Sequence, residues 1–315
     1  MNPAPDRQAA DAVLLVRPVA FHGNPQTAES NTFQRPPAAA DPAAEQAAAA
    51  VEFDGLVDAL RAAGVETVVV EDTARPATPD SIFPNNWISL HADGTAVLYP
   101  MMAPNRRGER RRDVLEGLSR EHGFRVARVL DFSGHEQQER FLEGTGSMVL
   151  DRVHRVAYAC LSPRTDLEVL AEVAQALDYE PLAFAASDAA GLPIYHTNVM
   201  MCVGADFAVV CEDAIRDGGQ RAAVRRRLED TGHEVIPISL EQMACFAGNM
   251  LELAGAAGER LLALSARALD ALDAPQRAAL EARCRLVVAP IAAIEEGGGG
   301  SVRCMLAEIH LPRRA

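Results

Sequence analysis

The stretch Trp87-Ile-Ser-Leu-His-Ala-Asp-Gly-Thr-Ala-Val-Leu-Tyr99 predicts a β-hairpin, and it decides the fold. Its two apolar runs flank Ala92-Asp93-Gly94, and Asp-Gly is a dipeptide that closes tight turns between antiparallel strands. The basic, amphipathic stretch from Arg106 to His122 follows as a predicted helix, and Arg125 to Asp131 follows as a predicted strand. This segment therefore predicts a structural unit that consists of a hairpin, a helix and a strand, in that order.

The same order of elements recurs along the chain, with no useful sequence identity between the copies. The second unit is the hairpin Ser147 to Leu161, the helix Asp166 to Leu177 and the strand Pro181 to Ala185. The third is the hairpin Asn198 to Cys211, the helix Gly219 to Thr231 and the strand His233 to Ile238. The fourth is the hairpin Asn249 to Leu264, the helix Ala274 to Arg283 and the strand Arg285 to Pro290. A last strand, Val302 to Leu311, would complete a fifth unit with the strand Ala12 to Arg17, the helix Asp41 to Ala63 and the strand Val65 to Val70. Units of roughly 50 to 60 residues predict a solenoid, an array or a closed propeller. We expect closure, because a last strand that finishes the first unit removes exposed sheet edges.

Length, composition and charge narrow the class of protein. A chain of 315 residues allows two domains or one large architecture of repeats, and the repeats favour a single domain over residues 1–315. The net charge of −14 argues against a nucleic acid or an anionic membrane as partner, since both attract cationic surfaces. No stretch reads as a signal peptide or a membrane span, so we expect a cytoplasmic protein. The oligomeric state is left open, with a homodimer as one option.

The six cysteines have no Cys-x-x-Cys spacing, so neither a zinc site nor a disulfide framework is predicted. Five of them lie in apolar or helical stretches that are typical of inert, buried thiols. Cys304 differs, because it follows the glycine run Gly297–Gly300 at the start of a predicted strand. Glycines let a backbone approach a ligand closely, so this loop would present a nucleophile. The simpler alternative is a flexible loop before one more buried cysteine.

Five loops lead into the five hairpins, and the equivalence of the repeats predicts that these leading loops meet at one mouth. They are residues 83–86, 142–146, 194–197 and 245–248 and the glycine run. This brings Cys304, His196 and Glu143 together without adjacency in sequence. A histidine can hold a thiolate and shuttle a proton, and a carboxylate can orient the imidazole. Taken singly, His196 could be a strand-end histidine and Glu143 a turn cap.

Three motifs carry a resemblance to a known family: Glu143-Gly-x-Gly, His196-x-Asn and Gly-Gly-x-x-x-Cys304-Met. In this order they resemble the pentein guanidine-modifying superfamily, which includes arginine deiminases, dimethylarginine dimethylaminohydrolases and amidinotransferases. The resemblance runs from Arg17 to Cys304 and is closest to the citrulline-utilisation hydrolases. It implies a five-bladed, pseudo-symmetric α/β propeller, with Cys304 as nucleophile, His196 as general acid and base, and Glu143 as the acid. It implies no metal and no organic cofactor.

One departure from the superfamily pattern bears on the substrate. Guanidine hydrolases carry acids in a segment similar to Asp80-Ser-Ile-Phe83-Pro-Asn85-Asn86, and arginine deiminases have an Asp where this chain has Asn198. A carboxylate only accepts hydrogen bonds, whereas a carboxamide also donates, so three Asn residues suit a neutral ureido group better than a guanidinium. We therefore predict a small ureido amino acid as substrate, with citrulline hydrolysed to ornithine, ammonia and carbon dioxide.

Further residues are assigned to the substrate site. Asp80 would orient the Asn pair or accept a substrate N–H, and Phe83 belongs to the same segment. The amino and carboxylate ends of the substrate would meet the polar loop from Pro18 to Pro37 and Arg303 or Arg106, although the run Arg106 to Arg112 otherwise reads as a solvated helix face. Whether the loop closes as a lid, and which substrate nitrogen leaves first, are left open.

Two alternatives remain at this stage. In the first, the chain is an arginine or methylarginine hydrolase, or an amidinotransferase, in which the Asn residues tolerate a cation. In the second, it is a non-catalytic propeller that binds a macromolecule, as ribosome anti-association factors do. The second alternative does not need Cys, His and Glu at three equivalent loops.

Overall fold

The structure of the chain, a computed structural model, describes residues 7–34 and 41–314, and these contain fifteen strands and eleven helices. The strands are β1 (Ala12–Arg17), β2 (Glu66–Glu71), β3 (Ile88–Leu90), β4 (Thr95–Leu98), β5 (Arg128–Asp131), β6 (Val149–Asp151), β7 (Val156–Cys160), β8 (Glu180–Phe184), β9 (Met201–Val203), β10 (Phe207–Val210), β11 (Glu234–Pro237), β12 (Leu251–Ala254), β13 (Arg260–Ser265), β14 (Arg285–Ala289) and β15 (Ala307–Glu308). The helices are α1 (Pro25–Ala28), α2 (Pro42–Ala62), α3 (Arg112–Arg120), α4 (Gly144–Ser147), α5 (Leu167–Leu177), α6 (Thr197–Met200), α7 (Gly218–Asp230), α8 (Leu240–Ala244), α9 (Ala266–Ala271), α10 (Ala274–Glu281) and α11 (Ala292–Gly298).

The strands of the described residues form five three-stranded sheets, in the orders β15-β1-β2, β3-β4-β5, β6-β7-β8, β9-β10-β11 and β12-β13-β14. In every sheet the middle strand is antiparallel to the first of these neighbours and parallel to the second. A hairpin followed by a helix and a strand must give this topology, because a parallel pair needs a crossover connection. The predicted α/β repeat of five units is therefore confirmed. Both ends of the chain share one sheet, since Leu14 pairs with Ala307.

The longer helices begin where an aspartate can cap them. Asp41 precedes α2, and its side chain accepts the N–H of Ala43, while Pro42 occupies the first helical position. Asp166 caps α5 in the same way by accepting two backbone N–H groups. Gly64, at a φ of +83°, stops α2 in a conformation that favours glycine. Local capping chemistry thus sets the helix boundaries within about two residues of those predicted.

Apolar helix faces pack against the sheets. All five residues of β7 are buried, and Ala157 and Ala159 share an apolar cluster with Val169, Leu170 and Val173 of α5. Each buried aliphatic side chain of this size stabilises the fold by about 1.5 to 3 kcal/mol. The sheet edges near the leading loops are thereby held in fixed positions.

Three predicted segments differ from the structure. The helix expected over Arg106 to His122 breaks into a 3₁₀ turn, Pro104–Glu109, and α3. Arg106 is buried in that turn, so the prediction that it lies on a solvated helix face is wrong. The last strand is only β15, because Val302–Met305 forms a 3₁₀ turn. The loop Pro18 to Pro37 contains α1, and its last three residues lie outside the described residues.

Four leading loops end in a single helical turn directly before or at the start of the first strand of their unit. These turns are Pro84–Asn86, α4, α6 and Val302–Met305. The shared geometry supports the equivalence of the loops. None of the helices in the described residues has the length and apolarity that crossing a membrane requires.

Candidate active site

A cavity lies where the leading loops meet. Its lining comes from three of those loops, from Asp80 and Cys304 close to them in sequence, from the segment after β1 and from two of the buried arginines. These residues are Asn31, Asp80, Phe83, Asn86, Arg106, Arg164, Tyr195, His196, Gly298, Gly299, Gly300 and Cys304. Cys304 and His196 therefore share one cavity, as the repeats predicted. Glu143 is not among the lining residues, but its carboxylate lies 2.9 Å from Nε2 of His196, so it is joined to the cavity through that imidazole.

Cys304 sits in the 3₁₀ turn Val302–Met305, and its sulfur is held by two carboxamides. The Nδ2 groups of Asn198 and Asn249 each lie 3.3 Å from Sγ and donate to it. The side chain of Asn249 is fixed in turn, because its Oδ1 accepts the backbone N–H of Arg303 at 3.0 Å. Two fixed N–H donors therefore point at the sulfur of Cys304.

His196 and Glu143 form a buried pair, with 2.9 Å between Nε2 and the carboxylate Oε2. Burial alone would raise the pKa of Glu143, but Arg164, His196 and Arg106 together hold it well below its ordinary value. The carboxylate is therefore ionised and accepts a hydrogen bond from the N–H at Nε2. Burial lowers the pKa of His196, with Glu143 acting in the opposite direction. The imidazole is neutral at neutral pH, with its Nδ1 lone pair free to take a proton.

Asn86 has a fixed amide orientation. Its Oδ1 accepts a hydrogen bond of 2.9 Å from Nη1 of Arg106, and a guanidinium can only donate. The Nδ2 group of Asn86 must therefore be the end that faces away from Arg106, where one hydrogen goes to Oδ1 of Asn85 at 3.0 Å. The second hydrogen of Nδ2 is left for another acceptor. Asn86 lines the cavity, so this acceptor can be a bound molecule.

Asn85 and Asn198 lie behind the cavity lining, and both are fully buried. Nδ2 of Asn85 and Oδ1 of Asn198 have no hydrogen-bond partner within the described residues. Asn85 thus orients Asn86, while Asn198 holds Cys304. Of the three predicted asparagines, only Asn86 lines the cavity directly.

Asp80 is the acid among the cavity-lining residues, and it is partly compensated. Its Oδ2 accepts from Nδ2 of Asn24 at 2.7 Å and lies 3.6 Å from Nε of Arg106. Its Oδ1 is buried and has no hydrogen-bond partner in residues 7–34 and 41–314. A substrate N–H could satisfy that oxygen. Phe83, the other predicted residue of this segment, also lines the cavity.

The segment after β1 closes one side of the cavity. Nδ2 of Asn31 donates to the carbonyls of Gly298 and Gly299 at 3.3 Å. Arg164 joins the same segment to the site, because it donates to Oγ of Ser30 at 2.6 Å and lies 3.5 Å from Glu143. The predicted participation of this loop therefore rests on Asn31 at the cavity and on Ser30 at Arg164.

The glycine run is not a flexible loop, and its glycines make room for protein side chains. Gly297 and Gly298 end α11, and Gly299 has a φ of +64°. A Cβ atom at Gly298 would lie 2.7 Å from the ring of Phe83, and one at Gly297 would lie 2.9 Å from the ring of Phe21. The expectation that these glycines let the backbone approach a ligand is therefore corrected in part, since packed rings fill much of the space, while Gly298, Gly299 and Gly300 also line the cavity.

Arg303 was assigned to the substrate, but the structure places it elsewhere. Its Nη2 donates to Glu308 at 2.8 Å and its Nη1 donates to the carbonyl of Leu306, and it is absent from the described lining of the cavity. Its contribution is the backbone N–H that orients Asn249. Arg106 and Arg164 are the guanidinium groups that line the cavity instead.

Sequence reasoning missed four residues of the site. They are Asn31, Arg164, Tyr195 and Asn249. Asn249 could have been found, because it follows the fourth leading loop at a position comparable to that of Asn198. Tyr195, whose hydroxyl donates to the carbonyl of Gly299 at 2.5 Å, directly precedes His196. No sequence signal distinguishes Arg164 from the other arginines.

Comparison with known proteins adds a family and a set of related folds. Residues 17–311 match the family described as N,N dimethylarginine dimethylhydrolase, eukaryotic. No curated protein matches the sequence. Among solved structures, the chain is similar to apo ArgZ, an arginine dihydrolase from cyanobacteria, at 18% identity and a TM-score of 0.71 over 96% of this chain. The chain spans only 41% of ArgZ, but it covers 99% of the separate N-terminal domain of ArgZ, solved with a covalently bound reaction intermediate, at 18% identity over 96% of this chain and a TM-score of 0.72.

A third similar structure is a cysteine-to-serine mutant of DDAH from Pseudomonas aeruginosa, complexed with citrulline. It is 14% identical over 96% of this chain and 100% of its own, with a TM-score of 0.64. At these identities the structural likeness shows a shared fold. The family match, which covers most of the chain, goes further.

Proposed function

This chain belongs to the N,N dimethylarginine dimethylhydrolase family of pentein hydrolases, which act on guanidino C–N bonds, and we propose that it too is a cysteine-dependent hydrolase. We propose further that its substrate is citrulline, a ureido amino acid. The products are ornithine, ammonia and carbon dioxide. The resemblance to the pentein superfamily is confirmed by this family match. The narrower likeness to citrulline-utilisation hydrolases is part of the proposal.

The observation that carries the ureido substrate is the orientation of Asn86. Arg106 already donates to its oxygen, and one hydrogen of its Nδ2 group has no acceptor among the described residues, so Asn86 has a donor to offer a bound molecule. A ureido carbonyl oxygen accepts such a donor. A guanidinium can only donate hydrogen bonds. Beside Asn86 it would leave two N–H groups facing each other, with no acceptor for either.

The charges around the cavity point in the same direction. Arg106 and Arg164 are cations, and Asp80 is the lining carboxylate. A permanently charged guanidinium would meet the repulsion of these two cations, which is reduced because Arg106 is paired with Glu109 at 2.9 Å and Arg164 lies 3.5 Å from Glu143. An amino acid with a neutral ureido end, and with its α-carboxylate near Arg106 or Arg164, avoids this repulsion.

The first chemical step forms a bond between Sγ of Cys304 and the ureido carbon. The carbonyl π electrons move to oxygen, and the N–H of Asn86 stabilises the oxyanion. One C–N bond then breaks, and the leaving nitrogen takes its proton from the imidazolium of His196, which has received the thiol proton at Nδ1. The result is a carbamoyl thioester on Cys304 and an amine or ammonia.

The second step consumes one water molecule. Nδ1 of His196, neutral again, takes a proton from water while the oxygen attacks the thioester carbon and the C–S bond breaks. The released carbamate loses carbon dioxide and takes up a proton to give the second nitrogen product. Glu143 keeps the proton on Nε2 throughout, so that Nδ1 is always the atom that exchanges protons.

A second candidate, hydrolysis of a guanidino amino acid such as arginine or a methylarginine, is favoured by Asp80. Its buried, unpartnered Oδ1 would accept an N–H of a guanidinium as readily as one of a ureido group. The similar proteins also carry names that point there: ArgZ is described as an arginine dihydrolase, and a mutant of AgrE is solved with L-arginine. These names describe those proteins, and for this chain the two substrates must be compared directly.

The experiment is a parallel assay of the purified protein with citrulline, arginine and dimethylarginine. Ornithine and ammonia released from citrulline would support the proposal, and Cys304→Ser serves as the inactive control. Citrulline formed from arginine or dimethylarginine, with no turnover of citrulline itself, would overturn the ureido reading and leave the guanidine hydrolase. If the folded protein turns over none of these three compounds, the non-catalytic binding module becomes the better explanation.

We also propose that the five sheets close into a five-bladed propeller that forms a single domain. Bridges between Leu90 and Ile309, and between Ala10 and Leu253, link the sheet that holds both chain ends to a neighbour on either side, which supports closure. The proposed mechanism needs no metal and no organic cofactor. A small-molecule substrate and a cytoplasmic location are the accompanying expectations, with a homodimer as one option for the oligomeric state.

A further inference from the structure

A second cluster of functional side chains lies at the turn ends of two adjacent repeats. Asp151 is the last residue of β6, and His154 lies three residues later in the turn that leads to β7. His233 precedes β11 of the following sheet and approaches the same carboxylate. None of the three is among the described residues that line the catalytic cavity, and the proposed reaction uses none of them.

The potential ligand atoms of the three side chains converge. Oδ2 of Asp151 lies 2.9 Å from Nδ1 of His154 and 3.9 Å from Nε2 of His233, and all three atoms lie within 4.8 Å of one another. Two ligands about 2.1 Å from a tetrahedral zinc ion are separated by roughly 3.4 Å. The two measured separations from Asp151 bracket that value, so small side-chain shifts would let this carboxylate share an ion with either histidine.

A backbone carbonyl completes the group. The oxygen of Gly204 lies 3.1 Å from Nε2 of His233, in the loop between β9 and β10. The backbone around Gly204 is tightly packed, since a Cβ there would lie 2.3 Å from the ring of Phe207, and its N–H donates to the carbonyl of Phe207 at 2.8 Å. The carbonyl of Gly204 therefore supplies a fourth oxygen or nitrogen donor beside the three side chains.

The cluster is largely buried, but one of its three side chains reaches the surface. The side chains of Asp151 and His233 are each 1% exposed, whereas that of His154 is 38% exposed. An ion could thus enter past His154 and find two fixed ligands behind it. A carboxylate buried beside two imidazoles also gains from a cation, since burying its charge is otherwise costly.

We propose that Asp151, His154 and His233 form a binding site for a divalent transition-metal ion of the zinc type, with the Gly204 carbonyl as a further ligand. Two imidazoles and one carboxylate are a ligand set that suits zinc, whereas calcium and magnesium prefer all-oxygen sites. The ion would join two neighbouring repeats at the ends of their strands opposite the leading loops. Its role would be structural, because the metal would link β6 to the segment before β11.

The test is a zinc titration of the full chain by calorimetry, in a Cys304→Ser background so that the thiol of the cavity cannot bind the metal. His154→Ala is the test variant, because His154 is exposed and its loss should leave the fold intact. His122→Ala, a histidine outside the cluster, is the matched control. Removing one ligand should weaken zinc binding by about 100-fold or more, which exceeds the 10-fold to 100-fold effect of indirect partners.

The expected result is one zinc ion per chain, a melting temperature that rises with zinc, and the loss of both effects in His154→Ala but not in His122→Ala. Cobalt titration of the same proteins should give the absorption of a nitrogen and oxygen site, without a thiolate band. Absence of saturable zinc binding would overturn the proposal. So would binding that His154→Ala leaves unchanged, or that both histidine variants weaken equally.

Discussion

Cys304 and Cys160 are both buried cysteines, and they differ in the groups that surround the sulfur atom. Cys160 faces an acceptor, since its thiol donates to the carbonyl of Ile194 at 3.4 Å, and burial raises its pKa to about 12. Cys304 receives N–H groups from Asn198 and Asn249. The two sulfurs therefore differ in their partners, since two carboxamide N–H groups hold that of Cys304, whereas a backbone carbonyl and the hydroxyl of Thr197 contact that of Cys160.

The largest effect should come from exchanging the sulfur itself. Cys304→Ser should reduce turnover by roughly 10⁴-fold or more, because the nucleophile is lost. Cys160→Ser should keep near wild-type turnover, since a hydroxyl can still donate to Ile194. Product release and thermal unfolding should be measured for both. If both variants fold and lose turnover equally, the assignment of Cys304 as the nucleophile is contradicted.

The next largest effect concerns the pair behind the cysteine. Glu143→Gln removes the charge that keeps the proton on Nε2 of His196, and kcat should fall by about 10²-fold or more. Glu172→Gln, which alters the partner of the exposed His135, is the matched control and should change little.

The same pair sets the pH profile. Because the pKa of His196 is lowered, the imidazole stays neutral until the pH falls well below the ordinary histidine value of about 6.5. The acid limb of kcat/KM should therefore lie below that value. In Glu143→Gln it should move lower still, because the carboxylate that raises the pKa of His196 is gone. An acid limb at pH 7 or above would contradict this assignment.

A third change tests the donors on sulfur directly. Asn198→Asp replaces an N–H donor with a carboxylate, so the alkylation rate of Cys304 by iodoacetamide should fall about 10-fold or more. Intact mass and peptide mapping would follow the modification. Cys160 serves as the internal control and should remain unmodified in both proteins. Alkylation of Cys304 as fast in the variant as in the wild type would show that the amides do not matter.

The smallest effect concerns the glycine run. Gly298→Ala places a Cβ against the Phe83 ring, and we expect a loss of about 1 to 3 kcal/mol in the free energy of unfolding. Gly55→Ala in α2 meets nothing within 4 Å and should instead stabilise the protein by about 0.5 to 1 kcal/mol. Denaturant unfolding of both variants gives the comparison, and equal values would remove the packing explanation.

The position of Cys304, His196 and Glu143 could be predicted because repeats of one topology put equivalent loops at the same end. That argument needs only the order of elements, which hydrophobic patterns and caps make visible. The burial of Arg106 could not be predicted, because a run of arginines normally indicates a solvated surface. This arginine has Glu109 as a partner in the same turn, and the fold adds Asp80 from a separate segment.

The glycine run was predicted in part. Its glycines indicated close approach of some group, and the sequence alone could not say which. Phe21 and Phe83 lie more than two hundred residues earlier in the chain, so their contact with Gly297 and Gly298 is purely tertiary. Arg303 failed for a related reason, because its ion pair with Glu308 competes with any role in the cavity.

The pairing of β1 with β15 has a consequence for biosynthesis. Leu14 emerges from the ribosome early, but its partner Ala307 is added nearly three hundred residues later. At usual translation rates that interval is on the order of tens of seconds. Throughout it, one edge of β1 is open to pairing with other chains. The nucleophile is made in the same final interval, so a nascent chain cannot be active before the strand that completes its first sheet is available.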